Sequence, residues 1–394
     1  MSHLSQRIQR VEPSPTLSIT AKANALKAEG VDVIGFSAGE PDFDTPEPIA
    51  RAAQEAIDAG KTRYTAASGL PQLREAIARE YDHRQRQVSK DQVVVTVGAK
   101  QALYNASQVL FDPGDKVGIP APHWVSYPAQ LHLAGATPVS IDTDMDSRFK
   151  LTAEGLREAI ESEGLKGLIL CSPSNPTGAT YSAGELKELA QVLADFPEVV
   201  VIFDAIYDRL FYEGELAADL VAQAPELGDR VLTVNGFSKT YAMTGWRLGY
   251  AIGPEEWIAA MGTLQSQSTS NATTFVQHGG IAALELDTSI LDERREHFKR
   301  RRDLIVDGLN AIDGVTCLRP SGAFYVFPDM SEIIAAGPYD DDLDLGAALL
   351  DEAHCAVVPG TAFGAPGCLR LSYALSDEAI EEGLERIGSA LDGI

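Results

Sequence analysis

The 394-residue sequence predicts an α/β protein with a mostly parallel central sheet in a large domain and a smaller α+β domain. Three observations predict this fold. Short runs rich in Val and Ile show no polar alternation, which is typical of strands buried on both faces. Helical patterns separate these runs. After about residue 285 the pattern changes to a long charged helical segment that is followed by short apolar runs. The runs are QVVVTV (92–97), GLILCS (167–172), VVVIFD (199–204), VLTVNG (231–236) and LGYAIG (248–253).

The intervening segments carry apolar residues at helical spacing, as in SAGELKELAQVLADF (182–196), where Ser182 suits the N-cap. Strands that alternate with helices favour a parallel sheet. A chain of this length usually folds into more than one domain, each with its own hydrophobic core. We therefore predict a large domain over 46–285, and a small domain that joins 1–45 to 286–394. The small domain would contain a long charged helix and the apolar runs GAFYVF, AVVPG and CLRLSYA.

The net charge is −25, which disfavours nucleic acid and anionic membranes as partners. The basic run RREHFKRRR (294–302) lies in an acidic, helix-patterned segment, so we expect a solvated or interdomain helix face. The sequence shows no 18-residue apolar run and no apolar stretch of a signal peptide, so a cytoplasmic location is expected. The four cysteines lack C-x-x-C spacing and are expected to be reduced and mostly buried, and no zinc motif is present.

Polar residues follow several of the predicted strands. Gly98-Ala99-Lys100 follows the first run, SPSNPTG (172–178) the second, Asp204 ends the third, and Ser238-Lys239 follows the fourth. Ligands of open parallel sheets gather at the carboxyl ends of the strands. The sequence therefore predicts that these residues meet in one site.

The segment NGFSKTYAMTGWRLGY (235–250) contains Lys239 and Arg247 among small, aromatic and apolar residues. A desolvated lysine is easily kept neutral and forms a Schiff base with an aldehyde. The planar guanidinium of arginine suits a phosphate, and Ser238 offers a further donor. An aldehyde with a phosphate is pyridoxal phosphate, although a lysine and an arginine also occur together in ordinary surface loops.

Three further positions suit the same cofactor. A carboxylate at Asp204 would keep a pyridine nitrogen protonated, and the hydroxyl of Tyr207 and the amide of Asn175 would bond the phenolate oxygen. The amides of Gly98-Ala99-Lys100 at a helix start would bind an anion. Each position also has a simpler interpretation: a helix N-cap for Asp204, a turn for N-P-T-G, and an ordinary strand-to-helix turn for Gly98.

Seven motifs occur in order along the chain: AGEPDFDTP (38–46), TRYTAASGLPQLREAIA (62–78), PHWVSYP (122–128), SPSNPTG (172–178), DAIYD (204–208), SKTYAMTGWRLGY (238–250) and RPSGAFYVF (319–327). Together they resemble a class I aminotransferase of the pyridoxal-phosphate-dependent transferase fold type I, from about residue 10 onward. Within that class the chain resembles the bacterial aspartate aminotransferase subgroup, in which a lysine recognises the acidic side chain.

The resemblance implies a role for each matching residue. Lys239 would carry the cofactor and then move the Cα proton, assisted by Asp204 and Tyr207 as catalytic residues. The cofactor would also be held by Asn175, Ser238, Arg247, Gly98, Ala99, Lys100, Trp124 stacked on the ring, and Tyr64 from the other subunit of a homodimer. Trp124 has an alternative interpretation as an ordinary core residue.

For the substrate, the resemblance implies that Arg370 clamps the α-carboxylate with help from the Gly39 backbone. Lys100 would meet the distal carboxylate, helped by Ser14 and Thr16 from a mobile N-terminal segment. Trp124 and Asn175 would also contact the substrate. The implied reaction is ping-pong transfer of the amino group of L-aspartate to 2-oxoglutarate.

Two residues depart from the pattern of the family. His123 stands where a tyrosine usually precedes the tryptophan, and Glu12 stands where relatives that accept prephenate often have a lysine. We therefore expect that the interactions around the cofactor ring or the substrate pocket differ from those of the family. We also expect that prephenate is a disfavoured substrate. Alternatives are an aminotransferase of broader or different specificity (prephenate, aromatic or alanine), a pyridoxal-phosphate-dependent lyase or decarboxylase on the same fold, and a non-catalytic regulator that binds the cofactor.

Overall fold

The computed structural model describes residues 3–5, 7–13, 15–84 and 86–392, and within these a seven-stranded sheet organises the chain. Its spatial order is β1-β7-β6-β5-β4-β2-β3. The strands are β1 (Val93–Thr96), β2 (Lys116–Ala121), β3 (Thr137–Asp142), β4 (Gly167–Cys171), β5 (Val200–Asp204), β6 (Val231–Gly236) and β7 (Gly249–Ile252). The five predicted strands are therefore present, and the α/β fold class is confirmed.

The prediction that the run at 248–253 is a parallel strand was wrong. β7 pairs antiparallel with both β6 and β1, whereas β2, β3, β4, β5 and β6 pair in parallel. Parallel neighbours need a long crossover, and only the twelve residues 237–248 separate β6 from β7. Because β7 runs backwards, the residue that precedes it lies at the same edge of the sheet as the carboxyl ends of β1, β4, β5 and β6.

Helices cover both faces of the sheet. The predicted helix at 182–196 is α7, where Ser182 accepts from the N–H of Glu185 and the Glu185 side chain accepts from the N–H of Ser182. The helices are α1 (Pro15–Ala28), α2 (Glu47–Asp58), α3 (Pro71–Asp82), α4 (Ala99–Leu110), α5 (Ser126–Ala134), α6 (Ala153–Glu163), α7 (Ala183–Ala194), α8 (Leu220–Gln223), α9 (Glu255–Ser266), α10 (Thr274–Leu284), α11 (Thr288–Asn310), α12 (Ser331–Ala336), α13 (Asp342–Asp351) and α14 (Asp377–Leu391).

A second, small antiparallel sheet has the order β8-β10-β9, with β8 (Tyr325–Val326), β9 (Val358–Pro359) and β10 (Leu369–Ser372). Residues near the start of the chain pack on it. The N–H of Ile34 donates to His354 at 2.9 Å, and the N–H of Ser372 donates to Phe36 at 2.7 Å. These contacts agree with an N-terminal segment joined to the C-terminal part, while the exact domain boundaries stay a prediction.

The basic run 294–302 lies within α11, and its arginines pair inside the chain. Arg301 contacts Asp42 at 2.9 Å and Asp377 at 3.1 Å, and only 7% of it is exposed. The run is therefore part of a helix, as expected, but only some of its face is solvated: Arg300 is exposed, whereas Arg301 is packed inside the chain. The four cysteines are free, and three of them are buried. Over residues 3–5, 7–13, 15–84 and 86–392, no helix is long and apolar enough to cross a membrane.

Candidate active site

A cavity of about 310 Å³ opens at the carboxyl edge of the large sheet. It brings together most of the residues that the sequence singled out. Its lining includes Thr16, Gly39, Ala99, Lys100, Trp124, Asn175, Asp204, Tyr207, Ser238, Lys239, Arg247 and Arg370. The convergence expected from the strand ends is therefore present in the described structure.

Lys239 reaches this cavity from the loop that follows β6. Its Nζ donates to the carbonyl of Gly39 and lies 6.0 Å from the centre of the Tyr207 ring. The pKa of Lys239 is lowered to about 8, chiefly by burial. The Glu40 carboxylate opposes this shift, and the positive charges of Arg370, Arg247 and Lys100 add to it. A large fraction of this amine is therefore neutral at mildly alkaline pH and available as a nucleophile or base.

Asp204 ends β5, and 3% of it is exposed. The hydroxyl of Tyr127 donates to Oδ2 at 2.7 Å, and the N–H of Ile206 donates to Oδ1 at 3.2 Å. Burial raises the pKa of Asp204 to about 6, although both hydrogen bonds favour the carboxylate. The simpler interpretation of Asp204 as a helix N-cap was wrong, because a turn follows it and the next helix begins at Leu220. Its carboxylate lies on the cavity wall instead.

Arg370 projects from β10 and is 2% exposed. One terminal nitrogen donates to Oδ1 of Asn175 at 3.2 Å and the other to the carbonyl of Ser37 at 2.8 Å. Within the described part of the chain, Nε of Arg370 is buried without a hydrogen-bond partner. A buried donor left unsatisfied is costly, so this guanidinium is suited to receive an anionic ligand.

Tyr207 and Tyr325 share a hydrogen bond of 3.0 Å between their hydroxyls. The ring of Tyr325 lies beneath Arg370, with its centre 4.6 Å from the guanidinium carbon. Burial raises the pKa of Tyr207 well above its usual value, so its hydroxyl keeps its proton and can donate it. The pair therefore places a hydrogen-bond donor beside Arg370.

The start of α4 and Arg247, two residues before β7, form another part of the cavity wall. Gly98 has a φ of +80°, and a Cβ there would lie 2.6 Å from a terminal nitrogen of Arg247. Gly249 has no room either, because its Cβ would lie 2.2 Å from the backbone nitrogen of Ala99. These glycines let Arg247 approach the free N–H groups of α4, and Ser238 also lines this cavity. A helix start beside an arginine fits a phosphate.

Lys100 and Trp124 lie against each other, with Nζ 4.7 Å from the centre of the ring. Burial and the charge of Arg247 lower the pKa of Lys100. Trp124 packs its ring on Tyr127 at 5.4 Å and an interplanar angle of 83°. Trp124 borders both the core and the cavity. Its position is therefore compatible with packing as a core residue and with stacking on a ligand ring.

Several predicted positions lie elsewhere or cannot be described. Ser14 lies outside the described residues. Tyr64 does not line the cavity and is 91% exposed, so its role toward another subunit stays a prediction. Glu12 is exposed. His123 donates its backbone N–H to Phe363 at 3.0 Å, and burial lowers the pKa of its ring.

Sequence reasoning missed Tyr127, Ser37 and Tyr325. Tyr127 and Tyr325 lie inside motifs already singled out, PHWVSYP and RPSGAFYVF, so their presence beside Trp124 and in a buried strand was the available signal. Ser37 contributes only a backbone carbonyl, which no residue type can reveal.

The donor set fits pyridoxal phosphate. A partly neutral lysine suits its aldehyde, and a buried carboxylate suits its ring nitrogen. The anion cradle, formed by the N–H groups at the start of α4 and by Arg247 beside Gly98, suits its phosphate. In addition, Arg370 lines the same cavity with an unsatisfied donor, and an arginine of this kind suits a carboxylate.

Comparison with known proteins agrees with this geometry. The profile of the family described as Aminotransferase class I and II matches residues 31–387. The aspartate/prephenate aminotransferase of Cereibacter sphaeroides is 48% identical over 400 residues, which cover 100% of both chains.

Two solved structures are also closely similar. The aspartate aminotransferase from Rhizobium meliloti has a TM-score of 0.95 at 44% identity, covering 100% of this chain and 99% of that chain. The aspartate aminotransferase from Thermus thermophilus with maleate has a TM-score of 0.93 at 43% identity, covering 99% and 100%. With a family match over nearly the whole sequence, the chain belongs to the class I and II aminotransferase family.

Proposed function

We propose that the protein is an aspartate aminotransferase, which uses pyridoxal 5′-phosphate to move the amino group of L-aspartate to 2-oxoglutarate. The products are oxaloacetate and L-glutamate, released in a ping-pong sequence. The observation that carries the proposal is one cavity that contains Lys239, Asp204 and Arg370 together with Lys100. The names of the similar proteins support the same substrate.

The chain offers a partner for each part of the cofactor. Arg247, Ser238 and the N–H groups at the start of α4 would hold the phosphate, Asp204 would hold a proton at the ring nitrogen, and Trp124 would stack on the ring. The phenolate oxygen would accept from Tyr207 and Asn175. When bound, the cofactor supplies an aldehyde that links to amines and a ring that accepts electrons from the substrate Cα.

Lys239 would serve twice in this site. Its amine would first anchor the cofactor and then, once released by the incoming amino acid, take the proton from the substrate Cα and return it elsewhere. A pKa of about 8 leaves enough neutral amine for this task near neutral pH, and the nearby cations keep it low. Tyr207 would keep the proton of its own hydroxyl, and the ionised Asp204 would keep the proton on the ring nitrogen.

The substrate would bind between two cations. Arg370 would grip the α-carboxylate through its planar fork, with Gly39 beside it, and its free Nε supports this role. Lys100 would pair with the second carboxylate, with Thr16 and Ser14 as further donors. A dicarboxylic amino acid uses both charges, whereas alanine uses only one.

Assembly and location belong to the same proposal. We infer a homodimer in which the exposed Tyr64 reaches the phosphate of the neighbouring site. We also infer a small domain formed by 1–45 and 286–394, a large domain over 46–285, and a cytoplasmic location. Sedimentation analysis of the purified protein tests the dimer.

The first experiment tests the anchor. Lys239→Ala should remove the visible absorbance of the protein-linked cofactor and abolish transfer, whereas Lys187→Ala, at an exposed position of α7, should change neither. Full turnover by the Lys239 variant would refute the assignment.

The second experiment tests the substrate. Lys100→Ala and Lys100→Met both remove the charge, but methionine keeps most of the chain that covers Trp124. Both should lower kcat/KM for aspartate at least tenfold more than for alanine. Equal losses for both amino acids would leave the distal carboxylate without its proposed partner.

A third experiment tests the type of reaction. The release of oxo acid, ammonia and CO₂ is measured with a panel of amino donors, which separates a transferase from a lyase or decarboxylase. The absence of any turnover would favour the non-catalytic regulator.

Prephenate is a distinct question, because the relative from Cereibacter sphaeroides is named for both substrates. The anionic, exposed Glu12 should disfavour a second carboxylate of that kind. Glu12→Lys should therefore raise kcat/KM for prephenate relative to oxaloacetate, and an unchanged ratio would remove Glu12 as the determinant.

A further inference from the structure

Tyr127 lines the cavity but is not among the residues proposed to hold the cofactor or the substrate. It is in the first turn of α5, and 2% of it is exposed. Its hydroxyl donates to Oδ2 of Asp204 at 2.7 Å. The other oxygen of this carboxylate accepts from the backbone of Ile206, which belongs to the same loop as Asp204. Tyr127 therefore supplies the side-chain donor that reaches Asp204 from another part of the fold.

The hydroxyl of Tyr127 is held in place by the packing of its ring. The ring meets Trp124 edge to face, with centres 5.4 Å apart and an angle of 83°. On the other side, the thiol of Cys171 contacts the Tyr127 hydroxyl from β4, whose register places Cys171 beside Asp204. A ring fixed by such packing has little freedom, so the direction of its O–H bond is set before any ligand arrives.

We propose that Tyr127 is a positioning residue, which orients the Asp204 carboxylate and keeps it ionised so that it can hold a protonated heteroaromatic nitrogen. The inference rests on the proposed function, since the nitrogen is that of the cofactor ring. Tyr127 itself would not touch the reacting atoms and would act through Asp204.

The argument follows from the cost of burying a carboxylate. Without donors, a carboxylate in this position would take up a proton, and a neutral acid cannot stabilise a pyridinium. The groups that face Asp204 are Tyr127 from α5, Cys171 from β4 and Lys239 from the loop after β6. Of these, only the Tyr127 hydroxyl donates directly to the carboxylate, and Lys239 contributes as a more distant charge.

Burial already brings the pKa of Asp204 to about 6, close to neutrality. Loss of a charge-assisted hydrogen bond typically shifts such an equilibrium by about tenfold. Without the hydroxyl, roughly half of the carboxyl groups would therefore be protonated at pH 7, whereas nearly all would still be ionised at pH 9. Relative to wild type, the ionised fraction would fall only about twofold at pH 7 but about tenfold at pH 5. The defect of a hydroxyl-free variant should thus be large at pH 5 and small at pH 9.

The first test uses the cofactor-free protein. Tyr127→Phe keeps the ring that packs on Trp124 and removes only the hydroxyl. The titration of Asp204 can be followed by carbon-13 NMR of labelled aspartate, with the signal assigned by its absence in Asp204→Asn. The midpoint should move upward by about 1 pH unit in Tyr127→Phe, and an unchanged midpoint would overturn the proposal.

The second test measures the dissociation constant of pyridoxal phosphate by equilibrium dialysis. At pH 5, Tyr127→Phe should weaken binding about tenfold, and at pH 9 less than twofold. In an Asp204→Asn background the same substitution should change binding less than twofold, because its route is gone. An equal loss in both backgrounds would mean that Tyr127 acts independently of Asp204, against the proposal.

Two controls keep the outcome interpretable. Tyr181→Phe removes another buried hydroxyl, which accepts from the N–H of Leu151 at 2.7 Å, and should leave the Asp204 titration unchanged. Tyr127→Met is a second hydroxyl-free variant in case the phenylalanine variant does not fold. If wild-type protein fails to bind pyridoxal phosphate, the proposed function is wrong, yet the titration of the cofactor-free protein still decides the role of Tyr127.

Discussion

The buried carboxyl group of Asp204 should make the cofactor-free protein less stable as the pH rises. The group is 3% exposed, and its pKa is raised from 3.8 to about 6, chiefly by burial. The folded form therefore binds a proton more tightly than the unfolded form. Its contribution to stability is fully present below about pH 4 and is lost as the pH rises through 6.

The size of this effect follows from the two pKa values. A difference of 2.2 pH units between 3.8 and about 6 corresponds to about 3 kcal/mol at about 1.36 kcal/mol per unit. Asp204→Asn removes the titration while keeping the shape of the side chain. The variant should therefore exceed wild type in free energy of unfolding by about 3 kcal/mol more at pH 8 than at pH 4, and it should lose affinity for the cofactor.

Urea unfolding of the cofactor-free proteins at several pH values measures this difference directly. Asp112→Asn is the matched control, because it makes the same change at an exposed position and should alter stability by less than about 0.5 kcal/mol. A difference between Asp204→Asn and wild type that stays constant from pH 4 to pH 8 would refute the reasoning. Such a result would mean that the carboxyl group is already satisfied without a ligand.

Three further predictions address the cavity. Capture of pyridoxal phosphate at Lys239, followed by stopped-flow absorbance, should accelerate as the pH rises through about 8 and then level off, because only the neutral amine attacks; a flat profile between pH 7 and pH 9 would contradict this. Arg370→Lys should weaken binding of succinate to the holoenzyme at least tenfold, since lysine lacks the planar fork, and a change below twofold would count against the clamp. Gly249→Ala should lower the free energy of unfolding by about 3 kcal/mol in urea titrations, because its Cβ would strike the backbone of Ala99 at 2.2 Å; Gly228→Ala, where the nearest atom would be 3.8 Å away, should have little effect.

The strands that the sequence predicted share a physical property. β4, β5 and β6 are mostly apolar and are buried along most of their length, so composition alone identifies them. β2 and β3 were missed. β2 contains Lys116, Gly118 and Pro120, and β3 is a largely exposed edge strand that contains Pro138. Edge exposure and proline both weaken the apolar signal on which the prediction depends.

The direction of β7 was beyond the reach of composition. A strand between two others is buried on both faces whether it runs parallel or antiparallel, so its residues look the same. The connection to β6 held the usable signal, because twelve residues with glycine and no helical pattern are short for a crossover. The position of Arg247 at the site depends on this reversal.

Residues of the candidate site could be predicted where chemistry restricts the residue type. Lys239 and Asp204 stood out because an amine and a carboxylate are uncommon additions to apolar segments at strand ends. Tyr127 could not be found this way, since a tyrosine in a helix is ordinary unless its distant partner is known. The contact between Arg370 and Ser37 likewise joins residues that only the folded chain brings together.

That last contact has a consequence for how the site comes into being on the ribosome. Everything from Gly98 to Arg247 is synthesised before Arg370, whose guanidinium must then return to the carbonyl of Ser37. A growing chain thus contains Lys239 and the proposed phosphate-binding residues well before it contains Arg370, the proposed partner of the substrate α-carboxylate. Translation order alone therefore separates the residues proposed to hold the cofactor from the residue proposed to bind the carboxylate of the amino acid.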